Sequence, residues 1–489
     1  SVPAAGVQPG TRRRPRRLRD WLRWQQGLNP LAIDLGLERT AAVARRLGGS
    51  KLPMPLIVVA GTNGKGSTAI ILEQIYRAAG LSTGVFLSPP LLRFVETVRI
   101  DGRSASEAAL IEAFERVDAA RGDVALTAFE FQTLAASQAF RHLMRPSRRA
   151  TDTAAGRKAG VDVAIMEVGM GGRRDAVNTF DADLALVTNV APDHMQWLGA
   201  DREAIGLEKA GVMRAGCPVV CGELSPPYSL IQEAARVGAV LFRAGADFHA
   251  EPDGRGWRWR HGETVLETLP SGGPRAGSSA QSAERVSAGV GSHGAPWLQN
   301  AASAMMAAHL LRQRLPVTPE SVRTGLSAAR LPGRQQHYAP SPARPERLVD
   351  VAHNPAAAAA LAERVRSLSA HRKGARVHAV FSMLADKDIE AAVAPLAGLV
   401  DRWFVGGNPG RRGLRRDELA ARVRAGLARA GAAEAGAVEA YRGVAPAYRA
   451  ALASVGPGDA VVVWGSFHTV RQVMRVDGTA SSPETRGDG

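Results

Sequence analysis

Apolar residues along this chain follow two rhythms. Short apolar runs at Leu56–Ala60, Val161–Glu167, Leu184–Thr188 and Pro218–Cys221 read as buried parallel strands. Between and after them, apolar residues return with helical spacing. Ala69–Ala79 stops at Gly80, and Trp297–Leu311 and Pro319–Ala329 repeat the pattern. Two short amphipathic helices, Trp21–Leu28 and Ala41–Leu47, precede the first strand. This alternation predicts an α/β fold with a mostly parallel sheet. Leu331-Pro332-Gly333-Arg334 interrupts the series, and strands resume at Arg347–Val351, Arg376–Phe381, Trp403–Val405 and Val461–Trp464. The expected division is a first domain over 1–330 and a second, smaller α/β domain over 331–475. The first would carry a basic arm over 1–19. Arg145–Gly160 reads as a mobile surface loop, Ser271–Gly294 as a flexible Gly/Ser-rich insert, and 476–489 as a disordered tail.

Composition narrows the class. The chain has 489 residues, 45% of them hydrophobic, enough for more than one buried core. No apolar run approaches the roughly 18–20 residues of a membrane span. The arginine-rich start has no apolar segment after it, so no secretory signal is read and a cytoplasmic protein is expected. A net charge of +16 suggests nucleic acid at first, but only six of the 62 basic residues are lysine. That tilt reads as codon usage. Aromatic residues are only 5%, without the interleaving a single-strand binder needs, so no nucleic-acid partner is expected. Cys217 and Cys221 lack metal-site spacing and read as small residues of a buried strand.

Against so few lysines, one inside a motif stands out. Gly61-Thr62-Asn63-Gly64-Lys65-Gly66-Ser67-Thr68 lies between a predicted strand and a predicted helix. Glycines there let backbone N–H groups face phosphate, the helix N-terminus adds positive potential, and Lys65 reaches the transferred group. The spacing departs from the ordinary phosphate loop, because Val59 stands five positions before Gly64. Glu167 ends a buried strand and precedes Val168-Gly169-Met170-Gly171-Gly172-Arg173, which makes it a candidate magnesium ligand. Pro192-Asp193-His194 follows another strand, and Glu208-Lys209-Ala210-Gly211 holds a further rare lysine.

Taken together, these motifs resemble the folylpolyglutamate synthase/dihydrofolate synthase family of the Mur-ligase superfamily. The resemblance runs, in order, through I-D-L-G-L (33–37), V-A-G-T-N-G-K-G-S-T (59–68), E-V-G-M-G-G-R (167–173), D-H-M-Q-W-L-G (193–199) and E-K-A-G (208–211). It continues through L-P-G-R (331–334), D-V-A-H-N-P (350–355), M-L-A-D-K-D (383–388) and G-S-F-H-T-V (465–470). It implies a sheet domain containing the phosphate loop, followed by a Rossmann-like α/β domain. It also implies an ADP-forming ligase that joins L-glutamate to a pteroate or folate carboxylate through an acyl phosphate. The alternative within the superfamily is a ligase that adds an amino acid to another carboxylate.

The resemblance also assigns residues. Asn63, Gly64, Lys65, Gly66, Ser67, Asn300, Arg334 and Asp350 would hold ATP. Ser88, Glu167, His194 and Lys209 would hold two magnesium ions, Lys209 as its carbamate. Lys65, His194 and Lys209 would be catalytic. Dihydropteroate or folate would lie against Gly27, Leu28, Asn29, Thr127, Ala128, Phe129, Glu130, Arg174, Asp175 and Ala176. The expected protein is a monomer. Three positions depart from the family pattern. Asn29 and Pro90 replace histidines, and Arg174 replaces the leucine of G-G-R-L-D-A.

Overall fold

The computed structural model describes residues 15–142, 144–146, 157–252, 256–269, 294–342, 344–369, 374–410, 412–432, 436–456 and 458–478. Its larger sheet has eight strands. In spatial order they are Val240–Arg243, Pro218–Cys221, Leu184–Val187, Leu56–Ala60, Val163–Glu167, Thr83–Phe86, Val98–Ile100 and Arg103–Ser104. The first six run parallel and the last two add an antiparallel edge. Both faces of the central strand are buried. Leu56, Val58 and Ala60 enter one core with Phe114, Leu134 and Ile205. Ile57 and Val59 enter the other with Ile71, Met306 and Leu326. A strand with period-two side chains and helices on both sides must be apolar at every position, and this explains the continuous apolar runs.

The second sheet has six strands, ordered Gln336–Tyr338, Glu346–Val349, Ala460–Trp464, Val377–Phe381, Arg402–Gly406 and Ala437–Tyr441. Only the first pairs antiparallel. Trp403 and Trp464 are fully buried in its core.

Several boundaries differ from expectation. The helix after the first strand starts at Lys65 rather than Ala69, because Gly64 already takes the left-handed N-cap conformation. Lys65–Ser67 is therefore the helix N-terminus itself, with N–H groups that have no intrahelical acceptor, and Thr68 N–H makes the first helical bond, to Gly64 O at 2.9 Å. The first helix is Leu18–Gln25, so the arm gives way to folded chain before residue 19, with Leu18 and Trp21 buried. Part of the expected loop over Arg145–Gly160 is ordered: Met144–Pro146 pairs antiparallel with Arg157–Ala159. A three-stranded antiparallel sheet, His249–Pro252, Trp257–His261 and Thr264–Leu269, had no counterpart in the sequence reading. It seats Trp257 and Trp259 on the helix Ala295–Leu310, where the Trp259 indole donates to the Ala302 carbonyl at 3.2 Å. The expected tail over 476–489 begins too early: Val476 ends the last helix, and the buried Asp477 carboxylate accepts from the Tyr448 hydroxyl at 3.0 Å. Gly294, the expected end of the insert over 271–294, is the N-cap of the helix Ala295–Leu310; residues 271–293 and those beyond 478 lie outside the described residues.

Candidate active site

Four strands of the large sheet end at one place. Gly61 follows Leu56–Ala60, Ser88 follows Thr83–Phe86, Glu167 closes its own strand, and Thr188 follows Leu184–Val187. Parallel sheets leave their crevice at these carboxyl ends. A cavity of about 580 Å³ opens there and is closed on the far side by residues of the second sheet's connections, including Asp350, His353, Lys387 and Phe467.

The loop over 61–67 is held tightly. Gly61 has φ 139°, and a Cβ there would lie 1.8 Å from Thr188 Oγ1. Gly64 has φ 82°, and a Cβ would meet Asn300 Oδ1 at 2.5 Å. Only glycine fits such a backbone this close to its neighbours. The Lys65 ammonium folds back to donate to the carbonyls of Gly61 and Thr62, each at 3.1 Å. Burial lowers its pKa, with Glu167 and Asp193 opposing that shift. Glu167 is 4% exposed, and burial raises its carboxyl above the ordinary value against the pull of Lys65. Its Oε2 accepts from the Ser88 N–H at 3.1 Å.

His194 has φ 53° and begins the short helix Met195–Leu198. Burial pushes its pKa down to about 4, so the imidazole is neutral near pH 7 and keeps a lone pair for a ligand. Lys209 is 2% exposed, and burial followed by the charge of Lys65 lowers it to about 7. Among the described residues no group of three or more His, Cys, Asp or Glu is placed to hold a metal by itself. One hydroxyl, one carboxylate and one neutral imidazole fit a hard cation that takes its remaining ligands from phosphate and water.

From the other side, Arg334 stacks on Phe467 with its Cζ 4.7 Å from the ring centre. Its Nη1 is buried with no hydrogen-bond partner among the described residues, a group that phosphate oxygen would satisfy. Asp350 is fixed by N–H groups of Gln335 and Ala352.

The structure brings most of the anticipated residues to this cavity. Asn63 to Ser67, Ser88, Glu167, His194, Lys209, Asn300, Arg334 and Asp350 line it, as do Thr127, Phe129, Glu130 and Arg174 to Ala176. Gly27, Leu28, Asn29 and Ala128 do not. Gly27 and Leu28 close the last turn of the first helix, with N–H groups bonded to the Trp24 and Gln25 carbonyls. Ala128 opens the helix Ala128–His142. Asn29 is buried and fully engaged: Nδ2 donates to Ala125 O at 3.0 Å and Asp34 Oδ2 at 3.3 Å, while Oδ1 accepts from Leu31 N–H at 2.9 Å. It therefore shapes the loop whose residues 32–36 face the cavity. Glu130 lines the wall, but its carboxylate is already bonded to Thr127 N–H, Thr40 and Arg39.

Sequence reasoning missed the joint across the cavity. Asp193 lies between His194 and a basic set from the second sheet's side: Lys387 pairs with it, His353 Nε2 is 3.5 Å away and Asn354 Nδ2 donates at 3.1 Å. Burial opposes ionisation, yet these groups hold the carboxyl far below its usual range. Asn63 and Asn354 exchange two side-chain hydrogen bonds, at 3.1 and 2.9 Å. The D-H and D-K-D motifs contained Asp193 and Lys387, but nothing local paired them.

Comparison with known proteins decides the family. Residues 333–467 match the Mur ligase, glutamate ligase domain. The dihydrofolate synthase/folylpolyglutamate synthase of Escherichia coli (strain K12) is 38% identical over 460 residues, covering 94% of this chain and 95% of that protein. The chain belongs to the dihydrofolate synthase/folylpolyglutamate synthase family. It is accordingly an ATP-dependent ligase of folate biosynthesis. A family member from Mycobacterium tuberculosis (strain ATCC 25618 / H37Rv) is 32% identical over 410 residues, 79% of this chain and 77% of that one. Among solved structures, E. coli FolC in complex with DHPP and ADP superposes with TM-score 0.79 at 38% identity, covering 95% and 99% of the two chains. A family structure with Mn, AMPPNP and L-glutamate bound gives TM-score 0.77 at 39% identity, covering 94% and 98%.

Proposed function

We propose that this chain carries both family activities, ligating L-glutamate to dihydropteroate and to reduced folates. Two lobes, 1–330 and 331–475, close on the substrates. The observation that carries this reading is convergence: Lys65 at a helix N-terminus and Arg334 with an unpartnered buried Nη1 face one cavity from opposite sides. ATP lies with its phosphates on Gly61–Ser67, between Asn300, Arg334 and Asp350. Ser88, Glu167 and His194 would hold a magnesium ion, and Lys209 as its carbamate would help hold a second. When bound, such ions neutralise phosphate oxygens that repel an incoming carboxylate.

The acceptor ring lies against residues 32–36 and Phe129, with its carboxylate toward Lys65. A carboxylate oxygen attacks the γ-phosphorus, ADP leaves, and an acyl phosphate forms. Lys65 and Arg334 stabilise charge on the transferring group. The glutamate amine then attacks the acyl carbon, phosphate departs, and the amine loses a proton. The acyl phosphate survives only if water is excluded, which is the work of the joint between Asp193, Lys387, His353 and Asn354. A panel of dihydropteroate and tetrahydrofolate with ATP and glutamate tests the reading. Heavy oxygen in the acceptor carboxylate must appear in inorganic phosphate. Label kept wholly in the amide refutes the acyl phosphate.

A further inference from the structure

Two neighbouring arginines on the loop after Glu167 are treated differently by the fold. Arg173 is committed to structure: its Nη2 donates to Glu233 Oε1 at 2.7 Å and reaches the Leu207 carbonyl at 3.4 Å. Arg174 lines the cavity, and its side chain is 51% exposed. Its nearest counter-charge is Glu208, with Nη2 and Oε1 4.0 Å apart, beyond hydrogen-bond distance. No hydrogen bond among the described residues engages its donors. A guanidinium offers a planar fork of N–H groups suited to a carboxylate.

The base of this side chain is fixed. Arg173 N–H donates to Glu208 O at 2.8 Å, and Asp175 accepts from the N–H groups of Met170 and Val177 at 2.9 and 3.0 Å. The loop also lies directly against Lys209. A Cβ on Gly172 would sit 2.7 Å from Glu208 O and 3.0 Å from Lys209 O. Arg174 is therefore held at the phosphoryl-transfer end of the cavity, beside the reacting carboxylate rather than at the far end of the acceptor.

We propose that Arg174 pairs with the non-reacting α-carboxylate of a glutamylated acceptor and so sets the preference between the two ligations. This rests on the folate reading above. Dihydropteroate has one carboxylate, which reacts. Tetrahydrofolate reacts through its γ-carboxylate and keeps an α-carboxylate a short aliphatic chain away. Only the second acceptor gives Arg174 an anion to bind. Glu208 competes weakly for the guanidinium, and half-exposure screens the pair, so the effect is moderate and salt-sensitive.

The test compares kcat/KM for tetrahydrofolate and dihydropteroate at saturating ATP and glutamate in the wild type, Arg174→Leu and Arg174→Lys. In Arg174→Leu the ratio of tetrahydrofolate to dihydropteroate efficiency should fall about tenfold, carried by KM for tetrahydrofolate. Arg174→Lys should recover part of that ratio, because it keeps the charge and loses the fork. An unchanged ratio overturns the assignment, whether both activities fall together or neither does. A wild-type chain that ligates glutamate to neither acceptor overturns the folate reading and the assignment with it.

Discussion

The proposed carbamate on Lys209 is open to direct test, because burial lowers the pKa of its amine into the range where a neutral nitrogen is available. Burial, then the charge of Lys65, lowers its pKa from 10.5 to about 7. Near pH 7 about half of the side chain is neutral amine, against roughly one part in 3,000 for an unshifted lysine. The neutral nitrogen attacks carbon dioxide, a carbamate forms and a proton is released. The sign of the pH dependence follows. Below about pH 7 the amine is protonated and carbamylation declines; above it the amine is available. Unmodified Lys209 also lowers stability, by on the order of 5 kcal/mol at the acid end. The unfolded chain binds the proton more strongly between pH 7 and 10.5, so this penalty fades as pH rises through that window. Carbon-13 bicarbonate should give a carbamate signal that is absent in Lys209→Met. Ligation should fall in carbon-dioxide-depleted buffer and return with bicarbonate, less completely at pH 6 than at pH 8. Lys209→Met should melt above the unmodified wild type at pH 6 yet ligate poorly. Full activity in depleted buffer, with no carbamate signal, would refute the reasoning.

Two further outcomes are expected. Lys65→Ala should reduce ligation by roughly 10²-fold or more while leaving the melting temperature nearly unchanged, since among the described residues the ammonium hydrogen-bonds to the Gly61 and Thr62 carbonyls alone; near-normal turnover would remove the loop from the chemistry. Lys387→Met should leave the buried Asp193 carboxylate with His353, Asn354 and the His194 N–H, without its ammonium partner, at a cost of up to about 3–5 kcal/mol to the closed arrangement. Small-angle scattering with ATP should then report a more open particle and turnover should drop, whereas an unaltered profile and rate would dismiss the joint.

How much of this was legible depends on the range over which each signal acts. The strand Leu56–Ala60, the glycine loop and the helix after it are local, and hydrophobic rhythm with turn chemistry exposed them. The start of that helix is less legible, because Lys65–Thr68 has the composition of a loop although Gly64 already caps the helix. The sheet around Trp257 and Trp259 was invisible for another reason. Its central strand, Trp257–His261, alternates the tryptophans with arginines and ends in histidine, and packing on Ala295–Leu310 is what buries the tryptophan face. The joint is harder still. Lys387 and Asp193 are 194 residues apart, and Asn63 and Asn354 are 291 apart. No window along the chain contains both partners.

Asn29 and Arg174 show where a resemblance stops and geometry must take over. Both depart from the family pattern on the side expected to face the acceptor, and by sequence they carry equal weight. The structure separates them by counting hydrogen bonds. Asn29 uses its carbonyl and its amide within its own loop and Ala125, so little remains to offer a substrate. Exchanging it would disturb the backbone that carries residues 32–36 and alter both ligations together. Arg174 stands on an anchored loop at the cavity wall with no hydrogen bond to its donors among the described residues, so exchanging it changes one acceptor's contacts and little of the fold. The position that discriminates between substrates is the one whose hydrogen-bonding capacity the folded chain leaves open.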